Sequence, residues 1–384
     1  MSWRVPLSDL PMPEEDVAAV VECLESGWLT MGPRTQAFER ALEEYTGARN
    51  VVVVSSGTAA LHLACLAAGL GPDDEAIVPS FTFVATPNAI RYAGATPVFC
   101  DVSSPLDPQL DPDDVARRIG PRTKAVLAVH FWGYPAPVGR LRELCDEHGL
   151  VLIEDAAEAI GGLTDTGGMA GTVGELGCLS FFSKKQLCVG EGGAVLTDDV
   201  ALADRVRSLR SHGMTTVTWD RHRGHAETYD IVEPGFNFRI DEPRAALGHS
   251  RLGRLADDIE ARREVARGYR ARLAGMAGLE LPFDDAAVDA SSHFAFPVLV
   301  ADRAARDAFR EELQARGIQT TWYPAVHGFT DYRRLAGQLE LPHTEAVADR
   351  HCALPMAATL GPAELDIVAE AVEQALAAVG RRAA

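Results

Sequence analysis

Two adjacent lysines follow an apolar segment that has the pattern of a buried strand. The segment 178–183 is CLSFFS, Lys184 and Lys185 come next, and a Gly-Glu-Gly-Gly turn follows at 190–193. A lysine that is removed from water loses its proton more readily, and its free amine is a nucleophile suited to Schiff-base formation with carbonyl compounds. The pattern indicates either such an amine or a pair of surface lysines at the end of a strand.

A carboxylate stands at the end of a second apolar segment. Residues 150–154 are LVLIE, Asp155 follows, and Glu158 lies three residues further on. Ligands of open α/β sheets bind beyond the carboxyl ends of the strands, which makes Asp155 a candidate site residue. An Asp in this place also commonly caps the following helix, so both roles stay open. The spacing would put Glu158 on the same helix face.

A turn of small residues follows a third apolar segment. The segment VVVV at 51–54 leads into SSGTAA at 55–60, which predicts a strand, a tight turn and the start of a helix. Unpaired backbone N–H groups at a helix start can hold a phosphate. On their own, the same residues are more typical of an ordinary helix cap by Ser56 or Thr58.

One histidine pair has the spacing of a metal site. His222 and His225 would share a helix face, and Glu227 would supply a third ligand. The neighbouring Arg221 and Arg223 would repel a cation, so the pattern favours a polar loop, and we expect no metal.

These residues need a sheet to bring them together, and the first 200 residues have the alternation that builds one. Short apolar segments alternate with helical patterns, which predicts an α/β fold with a mostly parallel sheet that is mixed near 183–193. The predicted strands are 51–54, 76–79, 97–100, 125–129, 150–154, 178–183 and 193–197. The predicted helices between them are 58–69, 83–93, 111–119 and 137–148.

The pattern changes after Asp241. One long helix or two are predicted over 242–278, then a strand at 293–300, a helix at 303–316, an extended segment at 318–324 and a terminal helix at 362–378. We therefore expect a large domain of residues 1–241 and a smaller α+β domain of residues 242–384. The segment 1–30 is expected to pack elsewhere than on the large domain.

Charge and cysteine content narrow the class of protein. The 384 residues include 36 Lys and Arg against 55 Asp and Glu, a net charge of −19 that excludes binding to a nucleic-acid backbone. Seven cysteines without a C-x-x-C pair fit a reduced, cytoplasmic protein. Residues 51–70 carry no charge and have the length of a membrane span, but the Ser-Ser-Gly-Thr turn and His62 favour a buried strand and helix.

In this order, the motifs resemble those of the DegT/DnrJ/EryC1/StrS family, the sugar aminotransferases that use pyridoxal 5′-phosphate (PLP) on the aspartate-aminotransferase fold, fold type I. The resemblance covers nearly the whole chain. The matching motifs are 27–33, 56–61, 79–86, 154–157, 180–185, 190–193, 235–239 and 323–327.

The resemblance assigns roles to single residues. Lys185 matches the Schiff-base lysine, and Asp155 matches the carboxylate that keeps the pyridine nitrogen protonated. Glu158 stands near the ring's phenolic oxygen, where many relatives carry Gln or His. The other implied cofactor contacts are Gly57, Thr58, Ala59 and Ser180 at the phosphate, Phe83 over the ring, and Asn237 of the partner subunit. The implied substrate contacts are Thr30, Lys184, Tyr323 and His327.

The resemblance also implies a reaction. PLP cycles through pyridoxamine 5′-phosphate (PMP) while an amino group passes from an amino acid, expected to be glutamate, to a keto sugar, expected to be a nucleotide-linked keto-deoxysugar. A cytoplasmic homodimer with shared active sites is implied, without membrane or nucleic-acid partners. The alternatives are an enzyme of the same fold that acts on a cyclitol or another non-nucleotide substrate, and a non-catalytic regulatory member that binds PLP.

The substrates and the cofactor are anions, whereas the chain is acidic. We therefore expect positive charge to be concentrated around Lys184, Lys185, Arg239 and the helix start at Thr58.

Overall fold

The computed structural model describes residues 3–216 and 228–383. The strands are β1 (Asn50–Val54), β2 (Glu75–Pro79), β3 (Thr96–Cys100), β4 (Val102–Ser104), β5 (Asp107–Leu110), β6 (Thr123–Val129), β7 (Val151–Asp155), β8 (Leu176–Ser180), β9 (Gly193–Thr197), β10 (Phe296–Leu299) and β11 (His351–Leu354). The helices up to the middle of the chain are α1 (Glu14–Glu25), α2 (Pro33–Thr46), α3 (Gly57–Ala67), α4 (Ala85–Tyr92), α5 (Pro112–Arg118), α6 (Val138–His148) and α7 (Val200–Arg210). The later helices are α8 (Glu242–Leu252), α9 (Leu255–Leu273), α10 (Asp285–Ala290), α11 (Arg303–Ala315), α12 (Thr330–Ala336), α13 (Pro342–Arg350) and α14 (Pro362–Ala383), and short 3-10 turns lie at Phe131–Gly133 and Val326–Gly328.

A seven-stranded sheet forms the centre of the molecule. Its strand order is β1-β9-β8-β7-β6-β2-β3. The strand β9 runs antiparallel to β1 and to β8, whereas β8, β7, β6, β2 and β3 pair in parallel. The predicted α/β fold with a mostly parallel sheet, mixed around 183–193, is therefore confirmed.

The uncharged run 51–70 forms β1, the turn after it and α3. All four valines 51–54 are fully buried, because Val52 and Val54 pack against α3 on one face while Val51 and Val53 pack against α2 on the other. A strand covered on both faces needs apolar residues at every position. No helix within the described ranges is long and apolar enough to cross a bilayer.

The strand register brings the end of β1, the end of β8 and the start of β9 together at the same end of the sheet. Gly193 at the start of β9 is paired with Val54 at the end of β1 and with Ser180 at the end of β8. A Cβ on Gly193 would lie 2.6 Å from the carbonyl carbon of Ser56, so a glycine is needed for the turn before α3 to cross this point. The start of α3 is thereby held beside the end of β8.

Strand β8 is shorter than the segment predicted from the sequence. It ends at Ser180, and residues 181–183 already belong to a turn that is closed by hydrogen bonds from the Phe181 amide to the Gly192 carbonyl and from the Val189 amide to the Phe181 carbonyl. The two lysines therefore lie in a loop beyond the sheet and not at its last residue.

The C-terminal residues form a smaller layer around the antiparallel pair β10 and β11. The predicted helical region 242–278 is two helices, and the first of them, α8, packs against α1 and α2. Helix α9 contacts two cores, because Leu255 and Ile259 pack with the large sheet while Val265 and Tyr269 pack with β10.

The N-terminal segment crosses to this smaller layer. Val5 forms a parallel bridge with Ile318, and the Met356 amide donates a hydrogen bond to the Leu7 carbonyl at 2.9 Å. Further along, the buried Asp16 of α1 accepts hydrogen bonds from Ser250 and Arg251 of α8. The first residues of the chain thus reach the same end of the sheet as Ser180, where Leu7 and Ser180 line one cavity.

Candidate active site

A cavity of about 500 Å³ opens at the carboxyl ends of the parallel strands, between the large sheet and the β10–β11 layer. Its walls include most of the residues that the sequence identifies as site candidates. The predicted residues that line it are Gly57, Thr58, Phe83, Asp155, Glu158, Ser180, Lys184, Lys185 and Tyr323. Residues that are up to 266 positions apart in the sequence therefore converge on one space.

Lys185 projects into this cavity from the loop after β8. Its amide donates to the Phe182 carbonyl at 2.8 Å, which fixes the loop, and its side chain is 13% exposed. The Nζ atom lies 3.0 Å from Glu158 Oε1 and 4.2 Å from the centre of the Phe294 ring. Lys184, in contrast, is exposed at the cavity wall. The structure thus separates the two lysines into one sheltered and one solvated amine.

Asp155 is the last residue of β7 and lies at the floor of the cavity. Its Oδ2 accepts a hydrogen bond from Thr86 Oγ1 at 2.7 Å, and its Oδ1 accepts one from the Ala157 amide at 3.1 Å. Burial raises the pKa of this carboxyl group, although both hydrogen bonds and the charge of Lys185 act in the opposite direction. A buried carboxylate with these partners is suited to binding a cationic ring nitrogen.

Behind Asp155, a fully buried pair fixes the surrounding loops. His130 Nδ1 accepts the Ala136 amide at 2.9 Å, and its Nε2 donates to Glu154 at 2.9 Å. Glu154 also accepts the amides of Gly171 and Gly174, and these contacts lower the pKa of its carboxyl group despite burial. The pair holds the segment after β6 and the loop before β8 against β7.

The start of α3 forms a cradle of backbone donors. Ser56 caps the helix, and its Oγ accepts the Ala59 amide at 3.1 Å. The amides of Gly57 and Thr58 are in the first turn, where no intrahelical acceptor exists, and both residues line the cavity. A Cβ on Gly57 would lie 2.7 Å from Ser180 Cβ, so the glycine allows the helix start to reach the Ser180 hydroxyl.

Four of the predicted residues do not line the cavity. Ala59 is buried in α3, Thr30 is exposed before α2, and Asn237 is exposed near the end of α7. His327 is bound through Nδ1 to Ser80 Oγ at 2.6 Å. The histidine motif at residues 222–227 lies outside the described residues, and no group of three or more metal-binding side chains occurs within the described ones.

Several cavity residues have no clear signal in the sequence. Leu7 and Ser8 line the cavity because the N-terminal segment crosses to the smaller layer. Phe294 lies two residues before the start of β10, and its ring contacts Lys185 Nζ. Trp132 does not line the cavity, but it directly follows Phe131, which does. It is buried with a φ of 61°, and its amide donates to Glu158 Oε2 at 2.9 Å. The following Gly133 is the one local sign of this turn, since a Cβ there would lie 2.7 Å from the Phe294 amide nitrogen.

The charges in the cavity wall differ from the expected concentration of positive charge. Lys184 and Lys185 are the two cationic residues among those that line it, and Asp155, Glu158 and Glu191 are the three acidic ones. Arg239 is half-buried and does not line this cavity. A multiply charged anion in this cavity would therefore need further cations, from outside the described cavity wall, to balance its charge.

The donor set fits PLP. Helix-start amides and a serine hydroxyl match a phosphate, the buried Asp155 matches a protonated ring nitrogen, and a sheltered lysine matches the aldehyde. The volume of about 500 Å³ accommodates a group of this size together with part of a substrate. The fold and the site thus define a PLP-dependent aminotransferase of fold type I.

Comparison with known proteins gives the family. Residues 11–373 match the DegT/DnrJ/EryC1/StrS aminotransferase family, and the chain belongs to it. It is a sugar aminotransferase, and its cofactor is PLP, which cycles through PMP.

Solved structures of similar proteins agree with this assignment. The aminotransferase TlmJ from Streptoalloteichus hindustanus is 34% identical, with 99% of this chain and 100% of that chain covered and a TM-score of 0.89. DesV from S. venezuelae, solved in complex with a ketimine intermediate, is 35% identical over 97% of this chain and 98% of that one, with a TM-score of 0.88. The sugar aminotransferase CalS13 from Micromonospora echinospora is 32% identical over 96% and 99%, with a TM-score of 0.87.

Proposed function

We propose that the enzyme transfers an amino group from glutamate to a nucleotide-linked keto-deoxysugar. The convergence of the sheltered Lys185 and the buried Asp155 on one cavity carries this proposal, because these are the two groups that amino transfer on PLP needs. The sugar is supported by the similar proteins, among them CalS13 and the Helicobacter pylori aminotransferase PseC, which is involved in the biosynthesis of pseudoaminic acid.

The residues of the site have distinct tasks in this reaction. When bound, PLP supplies an aldehyde that accepts the amino group and a ring that stabilises negative charge on the neighbouring carbon. Asp155 holds the proton of the ring nitrogen. The amides of Gly57 and Thr58 and the Ser180 hydroxyl bind the phosphate, and Ala59 contributes through the Ser56 cap that shapes this turn.

Lys185 moves the proton. With PLP bound, its Nζ would take a proton from the α-carbon of the amino donor and return it on the cofactor side, and the keto sugar would then gain the amine by the same steps in reverse. Glu158 lies 3.0 Å from Nζ and would hold the amine in place between these transfers. Phe83 is 63% exposed at the wall and would cover one face of the ring.

Substrate contacts are proposed for residues around the mouth of the cavity. Lys184 is the exposed cation of the wall and would bind a phosphate of the substrate. Tyr323 also lines the cavity, and its ring stacks on His351. Thr30 and His327 would contact the substrate beyond the cavity that one chain encloses.

A homodimer with shared sites is part of the proposal, with Asn237 of the partner subunit at the phosphate. It is supported by helix α1, where Val17, Val21 and Leu24 form one face and are 49%, 44% and 53% exposed. An apolar stripe at this spacing is typical of a helix that packs against another surface.

The division into a PLP-binding domain of residues 1–241 and a small domain of residues 242–384 is also proposed. Helix α8 and the first turns of α9 would connect the two domains, since their buried apolar side chains share a core with the large sheet.

All seven cysteines are buried and free, which supports a cytoplasmic location.

Product analysis tests the substrate. The PLP-loaded enzyme is incubated with glutamate or glutamine and with a panel of nucleotide-linked keto sugars, free keto sugars and keto cyclitols, and the product masses are measured. We expect a product in which a keto oxygen is replaced by an amine, formed from glutamate and a nucleotide-linked sugar. Amination of cyclitols alone, or of no acceptor in the panel, would contradict the proposed substrate class.

A further inference from the structure

His62 is a buried histidine in the apolar helix α3. It is 8% exposed, and its Nε2 atom has no hydrogen-bond partner among the residues that the structure describes. An unpaired buried polar atom costs about 1–3 kcal/mol, and a leucine at this position would avoid that cost. Burial lowers the pKa of the ring, which is therefore neutral at pH 7. Burial in the helix alone thus does not explain a histidine here.

The ring of His62 packs against two phenylalanines of the segment 236–238. Its centre lies 4.8 Å from that of Phe236 and 5.9 Å from that of Phe238. The two phenylalanine rings are stacked on each other, with their centres 4.8 Å apart and their planes at 7°. Aromatic pairs at such distances contribute about 0.5–1.5 kcal/mol beyond the area that they bury. His62 therefore holds the aromatic side of this segment.

Asn237 lies between these two phenylalanines. It forms an antiparallel bridge with Ser211 at the end of α7, so the backbone here is strand-like. Side chains alternate along such a backbone, and Asn237 is exposed where Phe236 and Phe238 are half-buried. Asn237 does not line the cavity of its own chain. Its side chain is therefore available to a second copy of the chain.

Helix α3 and the segment 236–238 belong to two different phosphate sites in the proposed homodimer. The helix begins at Gly57 and Thr58, which line the cavity of its own chain. The segment carries Asn237, which the proposed function places at the phosphate of the partner subunit. The two are joined, since the Ser55 amide before the helix donates to the Phe238 carbonyl at 2.7 Å. A change at His62 could therefore act on either site, and its ring contacts decide which.

We propose that His62 is a positioning residue for the active site of the partner subunit, because it holds Phe236 and Phe238 so that Asn237 reaches the PLP phosphate there. The proposal rests on the proposed function, in which each site is shared between two chains. It assigns to a residue of α3 an effect on the other subunit, although α3 itself begins at the phosphate site of its own chain.

The test uses mixed dimers in which one chain alone can bind PLP covalently. Two differently tagged chains are co-expressed, one of them carries Lys185→Ala, and dimers that hold both tags are isolated. Borohydride trapping over a range of PLP concentrations, followed by mass spectrometry, gives the concentration at which Lys185 of the intact chain is half labelled. His62→Leu is placed either on the Lys185→Ala chain, where it can act on the labelled site from the partner's side, or on the labelled chain itself.

We expect His62→Leu on the Lys185→Ala chain to raise the half-labelling concentration by about 3- to 10-fold, because ring contacts worth that much are lost. On the labelled chain itself, the same change should raise it by less than about twofold. His62→Phe is the conservative variant, since it keeps a ring against the segment, and it should stay within about twofold in both arrangements. An equal rise in both arrangements, a rise on the labelled chain alone, or no rise in either would overturn the proposal.

If His62→Leu does not fold, Phe238→Leu takes its place, because it removes the same ring contact from the side of the segment. The same asymmetry between the two arrangements is expected, and its absence would refute the role of His62.

Asn237→Ala on the Lys185→Ala chain tests the proposed function separately. A rise of at least about tenfold in the half-labelling concentration is expected, since a hydrogen bond to a charged phosphate is lost. A rise with Asn237→Ala but none with His62→Leu would overturn the inference and leave the shared site intact. No rise with Asn237→Ala would instead contradict the shared site of the proposed function, and the inference with it.

Discussion

Gly57 at the start of α3 and Ser180 at the end of β8 approach so closely that a Cβ on residue 57 would lie 2.7 Å from the Cβ of Ser180. The antiparallel pairing of β9 with β1 and β8 brings these two residues together. Their closeness brings the start of α3 beside the Ser180 hydroxyl in the wall of one cavity, an arrangement that suits a phosphate.

Gly57→Ala is therefore expected to separate the helix start from Ser180. We expect a loss of about 1–3 kcal/mol in the free energy of unfolding and a roughly tenfold weaker affinity for PLP, measured by urea denaturation and by cofactor titration. Gly57→Ala combined with Ser180→Gly should recover most of the stability, because the clash is removed. Gly71→Ala, at a position with nothing within 4 Å, is the control and should change stability by less than about 0.5 kcal/mol. Equal effects at positions 57 and 71 would refute this role of Gly57.

Asp155→Asn tests the carboxylate at the floor of the cavity. The neutral amide cannot stabilise a protonated ring nitrogen, so we expect the half-reaction with glutamate to slow by at least about 100-fold, measured by stopped-flow absorbance. Thr86→Val is the matched control. It removes one hydrogen bond to Oδ2 but keeps the charge, and a loss of about tenfold or less is expected. An Asp155→Asn rate within tenfold of the wild type would contradict the assignment.

His351 makes stability depend on pH. Its Nδ1 donates to the Val347 carbonyl and its Nε2 accepts the Tyr323 amide, so the buried ring is satisfied when neutral. Burial lowers its pKa to about 3, while the unfolded chain protonates this residue near its ordinary value of 6.5. Between about pH 6.5 and pH 3, the unfolded state binds one proton more than the folded state. The stability that the neutral His351 ring contributes is therefore fully present above about pH 6.5 and is lost as the pH falls towards 3.

We therefore expect His351→Gln to be less sensitive to acid than the wild type. The slope of the free energy of unfolding against pH should decrease by about 1.4 kcal/mol per pH unit between roughly pH 6 and pH 5, measured by urea denaturation. His148→Gln, which replaces an exposed histidine at the end of α6, should leave the slope unchanged. An unaltered slope in His351→Gln would show that this ring is charged in the folded protein.

The sheet and its chemical groups were predictable because their signals are local. The strands around Asp155 and before Lys185 are short apolar runs, and the small residues around Gly57 match a motif at fixed spacing. Such runs must be buried on both faces, which makes a parallel sheet the consistent solution. The carboxyl ends of the strands then give the place of the site.

The features of the fold and of the site that could not be predicted from the sequence depend on contacts between distant segments. Leu7 reaches the cavity because Val5 pairs with Ile318, and nothing near residue 7 encodes this pairing. The contact of Lys185 with Phe294 spans more than 100 residues, and the contact with Glu158 depends on the strained turn at Trp132. Helices α1 and α2 were not predicted, because their apolar faces become meaningful only once α8 lies against them.

Covalent binding of the cofactor to Lys185 is the property on which the proposed reaction depends. The PLP-loaded protein is reduced with borohydride, digested, and analysed by mass spectrometry for the modified lysine, with Lys184→Ala and Lys185→Ala alongside. We expect the pyridoxyl group on Lys185 alone, retained in Lys184→Ala and absent, together with turnover, in Lys185→Ala. A label on Lys184, or a Lys185→Ala enzyme that still transfers amino groups, would contradict the assignment of this residue.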